Sequence, residues 1–203
     1  CTGNGDSCGR DISGCLASTY LVFWSNDRID MEVFEAIKKR RSIREYTEEQ
    51  ISNETMEQIL DAGISAPSAG NLQSWEFILI RDQKKKEMIS EAAYNQTFLS
   101  RASVLIVVCG NQERSAYRYG SRGKELYCIQ DTSAAIQNML LASASLGIGT
   151  CWVGAFNENA VRKILKIPAG VRPVAIISLG YGAEKPGMPR RMNLKDVVHY
   201  EEF

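Results

Sequence analysis

The sequence contains a single histidine, His199, and lacks the motifs on which several common enzyme classes depend. A Ser-His-Asp triad would have only this one base, and no G-x-S-x-G segment is present to carry a nucleophilic serine. There is no G-x-x-x-x-G-K-[S/T] loop, and the glycines of "GIGTCWVG" do not form G-x-G-x-x-G at the start of a helix. The sequence therefore disfavours a hydrolase, an enzyme driven by a nucleoside triphosphate and a Rossmann dehydrogenase.

Long apolar runs and net charge are also missing. Beyond the N-terminus the longest apolar run, "VLIVVCG", is far shorter than the roughly 20 residues of a membrane helix. Near the start, "CLASTYLVFW" lacks the basic n-region and initiating Met of a signal peptide. Lys plus Arg and Asp plus Glu both total 24, so no overall basic field favours nucleic acid or an anionic membrane. We expect a cytoplasmic protein with neither partner, in which any anion site is local.

The composition changes at Met31. Residues 1–30 are rich in Gly, Ser, Cys and Asn, whereas "MEVFEAIKKRRS" is typical of a natural protein start. We expect residues 1–30 to be an N-terminal extension and residues 31–203 to form one domain, since 203 residues suffice for one sizeable core. Cys1, Cys8 and Cys15 recur every seven residues, but this spacing matches no common zinc pattern and no His lies among them. We therefore predict no metal site.

The hydrophobic pattern predicts one α+β domain with a central sheet. A first helix should begin near Val33 and run into the Arg pair, because Val33, Phe34 and Ile37 share a helical face. The longest helix should lie within residues 125–146. Predicted strands are "WEFILIRD", "VLIVVCG", "GIGTCWVGAF" and "RPVAIISLGYG"; the second is continuously apolar, as expected of a strand covered on both faces. Three single cysteines in apolar surroundings should be buried: Cys109, Cys128 and Cys151.

Three polar segments are hard to explain by folding alone. "KKRRSIREY", residues 38–46, holds five cations and one serine, which either favour the dipole of a helix C-terminus or form a phosphate clamp. "APSAGNLQSW", residues 66–75, is either a plain connection or a loop whose Ser68, Asn71 and Gln73 hydrogen-bond a flat heterocycle. "GMPRRMN" places a second Arg pair after a buried strand. Each segment is weak evidence when taken alone.

Taken together and in order, "RRSIREY", "APSAGNLQSWEF", "DTSAAIQNMLLASASLGIGTCWVGAF" and "LGYGAEKPGMPRR" resemble the nitroreductase family of FMN-dependent flavoproteins. The resemblance covers residues 31 to about 198. It implies an α+β sandwich in which a central mixed, mainly antiparallel sheet is flanked by helices. It also implies an intertwined homodimer, with FMN bound in each of two clefts between the subunits.

The resemblance assigns FMN contacts to particular residues. Arg40, Arg41 and Ser42 would hold the phosphate and ribityl end, and Arg44 would approach the pyrimidine edge of the ring. An amide near that edge would come from Gln96, or from the neighbouring Asn95. A loop of the partner chain would supply Pro67, Ser68, Ala69 and Asn71. The backbone beside flavin N5 would be that of Val153 and Gly154. One further arginine, Arg190 or Arg191, would reach the phosphate.

The function implied by the resemblance is hydride transfer from NAD(P)H, through bound FMN, to a small-molecule acceptor such as a nitroaromatic, a quinone or a flavin. The cycle would be ping-pong, with FMN carrying the chemistry and no dedicated catalytic residue. Many relatives have Glu at the position of Gly154, which leaves the acceptor and the choice between NADH and NADPH open. A member that activates oxygen or removes halogen, and a flavin-binding dimer without turnover, remain as alternatives.

The segment "NQERSAYRYGSRGKELY" is predicted to be a loop between a strand and the longest helix. It would either carry a substrate lid, with Tyr117 and Tyr119 stacking on a ring, or be a plain exposed loop.

Overall fold

The computed structural model describes residues 32–203. The predicted extension, residues 1–30, and its three cysteines lie outside the described residues. The described chain contains the following helices and strands: α1 Val33–Lys39, α2 Asn53–Ile64, β1 Trp75–Ile80, α3 Gln83–Ala92, α4 Phe98–Arg101, β2 Val104–Asn111, α5 Gln112–Arg122, α6 Cys128–Ser145, β3 Gly149–Val153, α7 Glu158–Leu165 and β4 Val171–Gly180.

The four strands form one sheet in the order β1-β2-β4-β3, and every ladder is antiparallel. Parallel pairing occurs among the described residues only as a single bridge, between Ser42 and Thr150 at the free edge of β3. The prediction of a mainly antiparallel sheet flanked by helices is therefore confirmed.

Strand β2 divides the core into two layers because its side chains alternate between the two faces of the sheet. Leu105 and Val107 pack with residues of α3, α4 and α7, whereas Ile106 and Val108 pack with residues of α2 and α6. All four side chains are fully buried. Burial on both faces explains why this strand is continuously apolar, as the sequence predicted.

Contacts between residues that are close in sequence set several helix ends. Helix α1 stops at the predicted Arg pair, where the backbone N–H of Arg40 still donates to Ala36 O at 2.9 Å. Ser52 caps α2 by accepting from the backbone N–H of Thr55 at 3.1 Å. Asn157 caps α7 in the same way. Because these contacts join residues that are close in sequence, a sequence pattern can indicate where such helices begin and end.

The prediction of a loop at residues 111–127 is wrong. This segment forms α5 and then a π-helical turn, Gly123–Tyr127, with a break at Gly120, where φ is 54°. The segment is so polar that the sequence interpretation did not recognise a helix in it. Contacts with other parts of the fold stabilise the segment instead. Arg114 pairs with Glu76 of β1. Ser115 packs so tightly on Gly123 that a Cβ added to Gly123 would collide with the Ser115 backbone.

One face of α1 is not covered by any other part of residues 32–203. Val33, Phe34 and Ile37 lie on one side of the helix as predicted, yet they are 56%, 72% and 49% exposed. Several apolar side chains of the C-terminal tail are also exposed, among them Met192 and Leu194. Between residues 32 and 203, no helix is both long and apolar enough to cross a membrane.

Candidate functional site

The residues of the cationic segment are held along the free edge of β3. The backbone N–H of Ile43 donates to Thr150 O at 2.8 Å, next to the bridge that pairs Ser42 with the same threonine. The segment after β4 also holds these residues, since the backbone N–H of Ala183 donates to Glu45 O at 2.9 Å. The segment therefore behaves as a short added strand, and its cations have a defined position.

Two side chains that the sequence interpretation missed strengthen this position. A carboxylate oxygen of Glu184 accepts the backbone N–H groups of Arg44 and Glu45, at 2.5 and 3.2 Å. The hydroxyl of Tyr46 lies 2.6 Å from Ile43 O, to which it donates, and 2.7 Å from the Ser178 hydroxyl. Burial raises the pKa of Tyr46 well above its ordinary value, so the hydroxyl stays protonated. No sequence motif marks either role, because Glu184 lies 140 residues from Arg44 and Ser178 lies 132 residues from Tyr46.

Four arginines converge on one cavity of about 380 Å³ beside this segment. Its lining contains no carboxylate and consists of Arg40, Arg41, Ser42, Arg44, Pro186, Gly187, Pro189 and Arg191. Arg191 lines this cavity and Arg190 does not. Forked guanidinium donors with a hydroxyl are the groups that recognise a phosphate ester, so this donor set fits the phosphate end of a flavin mononucleotide.

The arginines are not equivalent. Arg41 turns back over the end of α1, where one guanidinium nitrogen donates to Lys38 O at 2.6 Å and to Arg40 O at 2.8 Å. The Arg44 guanidinium lies 5.8 Å from the centroid of the Phe98 ring, within the range of a cation–π contact. Arg44 therefore points toward the segment that contains Gln96, and Arg41 toward the helix end.

Gln96 is built into the fold next to the end of β3. Its amide nitrogen donates to Ala93 O at 2.8 Å and to Ala155 O at 3.0 Å. The second bond holds the backbone that follows Val153 and Gly154. Val153 is buried, whereas Gly154 is exposed and a Cβ on it would meet nothing within 4 Å. The chain thus leaves open space beside the Gly154 backbone.

The polar loop before β1 is fixed by a buried carboxylate. Asp131 of α6, only 5% exposed, accepts from Ala69 N–H at 2.9 Å and from the Ser74 hydroxyl at 2.8 Å. Within the loop, the Ser68 hydroxyl accepts from Gln73 N–H at 3.0 Å. The sequence interpretation missed Asp131; the available signal was one carboxylate on the buried side of α6, among small and apolar residues.

Helix α5 packs on the same loop. A Cβ at Gly70, where φ is 57°, would lie 2.6 Å from the Tyr119 hydroxyl, whereas Tyr117 is 93% exposed. The aromatic residues proposed for a lid therefore differ: Tyr119 contacts the loop, and Tyr117 extends into solvent.

The loop and the arginine cavity lie at opposite ends of the sheet. Strand β1 begins at Trp75, which pairs through β2 with the first residues of β4, whereas β3 begins at Gly149, opposite the last residue of β4, Gly180. The ten residues of β4 span about 30 Å. One chain therefore does not bring Ser68 or Asn71 to the arginines.

The described cysteines are not part of the chemistry. Cys109, Cys128 and Cys151 are free and buried, as predicted. Burial raises the pKa of the Cys109 thiol to about 12, and it also raises the pKa of Cys151 below the arginine segment. These side chains remain thiols at neutral pH and act as small core residues. Within residues 32–203, no group of three or more His, Cys, Asp or Glu side chains could hold a metal ion.

Comparison with known proteins identifies the family. The nitroreductase family model matches residues 37–98 and 87–181. The chain belongs to the nitroreductase family. A relative from Archaeoglobus fulgidus, named "Putative NADH dehydrogenase/NAD(P)H nitroreductase", is 42% identical over 74% of this chain and 85% of its own. A Bacillus subtilis relative, named FMN reductase [NAD(P)H], is 29% identical over 85% of this chain and 74% of its own.

Solved structures support the same assignment of the fold. The Vibrio harveyi NADPH:FMN oxidoreductase, solved in complex with NAD+, is similar to this nitroreductase-family chain with a TM-score of 0.79 and 26% identity. The similarity covers 84% of this chain and 77% of the Vibrio protein. The α+β sandwich described above is therefore the nitroreductase fold.

Proposed function

We propose that the chain is an FMN-dependent oxidoreductase that transfers hydride from NAD(P)H to a small-molecule acceptor such as a nitroaromatic, a quinone or a flavin. The observation that carries the proposal is the cavity of four arginines and one serine, built on the edge of β3 in a member of the nitroreductase family. Its positive charge and its hydroxyl fit a phosphate ester. In a chain of zero net charge an anion site has to be local, and this cavity is a local cluster of cations.

We assign the cofactor contacts to the residues that line the arginine cavity and its surroundings. Arg40, Ser42 and Arg191 hold the phosphate and the adjoining ribityl chain, with Arg41 beside them. Arg191, rather than Arg190, is the C-terminal contact, because Arg191 lines the cavity. Arg44 lines the same cavity and also contacts the Phe98 ring, on the side expected of a cation near the pyrimidine edge of the ring. Since the amide nitrogen of Gln96 already bonds two backbone carbonyls, its amide oxygen is the atom offered to the flavin.

The protein contributes position and electrostatics. When bound, FMN supplies the redox chemistry, taking hydride from NAD(P)H and giving two electrons to the acceptor in a ping-pong cycle. The Gly154 backbone N–H would be the group offered to the reactive nitrogen of the ring. Arg44 stabilises the negative charge that develops at the pyrimidine edge. The open space at Gly154 leaves room over the ring for the donor and the acceptor in turn.

A homodimer completes the site. Because the loop with Ser68, Ala69 and Asn71 lies at the opposite end of the sheet from the arginine cavity of its own chain, it serves the FMN held by the partner's arginines. The uncovered apolar face of α1 and the exposed apolar residues of the tail supply surface that such an assembly would bury. FMN binding then depends on dimerisation.

The absorption spectrum of the purified protein and its response to nicotinamide test the proposal. We expect a flavin band near about 450 nm that bleaches promptly on anaerobic addition of NADH or NADPH and returns with a quinone or nitroaromatic. If the protein holds flavin but neither NADH nor NADPH bleaches it, the proposed oxidoreductase activity is contradicted and a flavin-binding dimer without turnover is favoured. Oxygen consumption or halide release in place of nitro reduction would favour a family member that activates oxygen or removes halogen.

A further inference from the structure

The arginine cavity is lined by two segments that are remote in sequence. One wall comes from residues 40–44, which pair with β3, and the other comes from residues 186–191, which follow β4. A hydrogen bond requires its donor and acceptor to lie within about 3.2 Å of each other. Both walls can therefore bind one phosphate only if the spacing between them is fixed.

The side chain of Glu184 joins the two walls. Its oxygen Oε1 accepts the backbone N–H of Arg44 at 2.5 Å and that of Glu45 at 3.2 Å. Glu184 lies two residues before Pro186, with which the second wall begins. A backbone bond from Ala183 N–H to Glu45 O runs beside this contact. The carboxylate thus holds the Arg44 backbone against the start of the second wall.

The rest of the second wall has few other attachments. Within residues 32–203, no hydrogen bond and no ion pair involves residues 185–192, and the next residue along the chain that makes a hydrogen bond is Asn193. Glu184 is therefore the last hydrogen-bonded residue before the stretch that carries Arg191 into the cavity.

The charge of Glu184 does not explain its position. A carboxylate close to an anion site repels the anion, so its charge by itself should weaken phosphate binding. The two hydrogen bonds, in contrast, need only an acceptor. Because both go to the same oxygen, an amide oxygen with its two lone pairs could accept them without the charge. The acceptor and the charge are therefore expected to have opposite effects on cofactor binding.

We propose that Glu184 is a positioning residue for FMN, which holds Arg44 and the wall that carries Arg191 at the spacing that one cofactor molecule requires. The inference rests on the proposed function, because it takes FMN to bind in the arginine cavity. In this role Glu184 acts through the residues that it holds. Its loss weakens FMN binding and also alters the flavin itself, since Arg44 stabilises the negative charge of the reduced ring.

Variants that separate the acceptor from the charge test this role. Glu184→Gln keeps an oxygen at the same reach and removes the charge. Glu184→Met has a similar length but no oxygen, and Glu184→Asp keeps the charge but withdraws it by about 1.5 Å, one carbon–carbon bond. Glu48→Met removes an exposed carboxylate outside the cavity and is the matched control. Urea unfolding of each full-length variant establishes that it is folded before FMN is added.

Two properties are then measured. Quenching of flavin fluorescence gives the affinity of the flavin-free protein for FMN, and equilibration with a redox dye gives the midpoint potential of the bound flavin. Glu184→Gln should bind FMN within about threefold of the parent, whereas Glu184→Met and Glu184→Asp should bind it about tenfold more weakly, because the two bonds are lost.

The potential distinguishes positioning from charge. Glu184→Met and Glu184→Gln carry the same charge, so a difference between them reports the acceptor alone. Flavin bound to Glu184→Met should have the more negative midpoint potential, because a displaced Arg44 stabilises the reduced ring less well. Glu48→Met should match the parent in both affinity and potential.

Three results would overturn the inference. Equal FMN affinities of Glu184→Met and Glu184→Gln would remove the positioning role, and if both exceeded the parent, Glu184 would act only through its charge. A folded but less stable Glu184→Met that keeps the affinity and potential of the parent would show that Glu184 supports the fold alone. Both results leave the proposed function intact. If the parent itself binds FMN no better than riboflavin, the proposed function fails and the inference fails with it.

Discussion

The Asp131 carboxylate and the Ala69 backbone N–H are joined by a 2.9 Å hydrogen bond that ties helix α6 to the loop before β1. The second oxygen of the same carboxylate accepts the Ser74 hydroxyl. Both ends of the loop segment that we assign to the partner's FMN are thus fixed by one buried residue. Asp131 is therefore expected to be a positioning residue for cofactor binding.

Replacing Asp131 tests this role. Asp131→Ala leaves the Ala69 N–H and the Ser74 hydroxyl without their partner and should lower the free energy of unfolding by about 1–3 kcal/mol. Asp131→Asn keeps an acceptor for Ala69 and should retain most of the stability. If the loop serves FMN, the Ala variant should also lose affinity for FMN, measured by flavin fluorescence at a temperature where it is fully folded. Unchanged affinity in the folded Ala variant would contradict the role.

The arginine cavity makes a second prediction. Arg40→Ala combined with Arg44→Ala should give a folded dimer with little bound FMN, because the variant removes two charge-assisted contacts. Arg101→Ala changes an exposed arginine outside the cavity and should retain full occupancy. The ratio of absorbance near about 450 nm to protein absorbance measures occupancy. Full flavin occupancy of the double variant would refute the assignment of the clamp.

Gly154 is expected to tolerate side chains. A Cβ there meets open space, and its φ is not among the positive values, so Gly154→Ala and Gly154→Glu should change the free energy of unfolding by less than about 0.5 kcal/mol. Gly110→Ala is the contrasting control, because its Cβ would collide with the Cys128 sulfur. Gly154→Glu should alter kcat/KM for the acceptor or the ratio between NADH and NADPH. Kinetics identical to those of the parent would remove Gly154 from the site.

The exposed face of α1 predicts how the oligomer responds. Phe34→Asp places a charge on an apolar side chain that is 72% exposed in one chain. If the dimer buries this face, the variant should shift toward monomer and lose FMN together with the dimer. Met88→Asp, on the exposed side of α3, is the control and should leave both unchanged. Light scattering coupled to size-exclusion chromatography gives the mass, and a dimeric Phe34→Asp would exclude this face from the interface.

The Glu158–Arg172 pair predicts a pH dependence. The Arg172 guanidinium donates to both carboxylate oxygens, at 2.7 and 2.9 Å, and these bonds hold the pKa of Glu158 below its ordinary value. A depressed folded-state pKa adds stability that is present above the unfolded pKa and is lost as the pH falls through the folded value. Both side chains are more than a third exposed, so solvent limits the gain to about 1 kcal/mol or less.

Glu158→Gln should therefore be slightly less stable than the parent at pH 7 and equal to it in strong acid, measured by urea unfolding. Glu125→Gln, an exposed carboxylate on the π-helical turn, should show no such difference. A Glu158→Gln deficit that persists at low pH would show that the pair does not cause it.

Much of the fold could be predicted from the sequence because the signals for its helices and strands are local. The end of α1 at the Arg pair and the strand "VLIVVCG" each depend on neighbours along the chain, and both were predicted correctly. Helix α5 was missed because its stability comes from contacts such as Arg114 with Glu76, 38 residues apart. In the site, charge alone left a helix end and a phosphate clamp as alternatives, and the family resemblance assigned the arginines to FMN. Glu184 and Asp131 gave no local signal of their partners.

By itself the sequence determined most of the helices and strands, though not α5, together with the cationic segment and the family resemblance. These depend on composition, periodicity and motif order. Only the tertiary structure decided that Arg191 rather than Arg190 lines the cavity. It also decided that the polar loop lies at the far end of the sheet from the arginines, and that Glu184 joins the two segments that line the cavity. The physical reason is that strand register and close packing set distances between residues that are remote in sequence, and no local pattern encodes those distances.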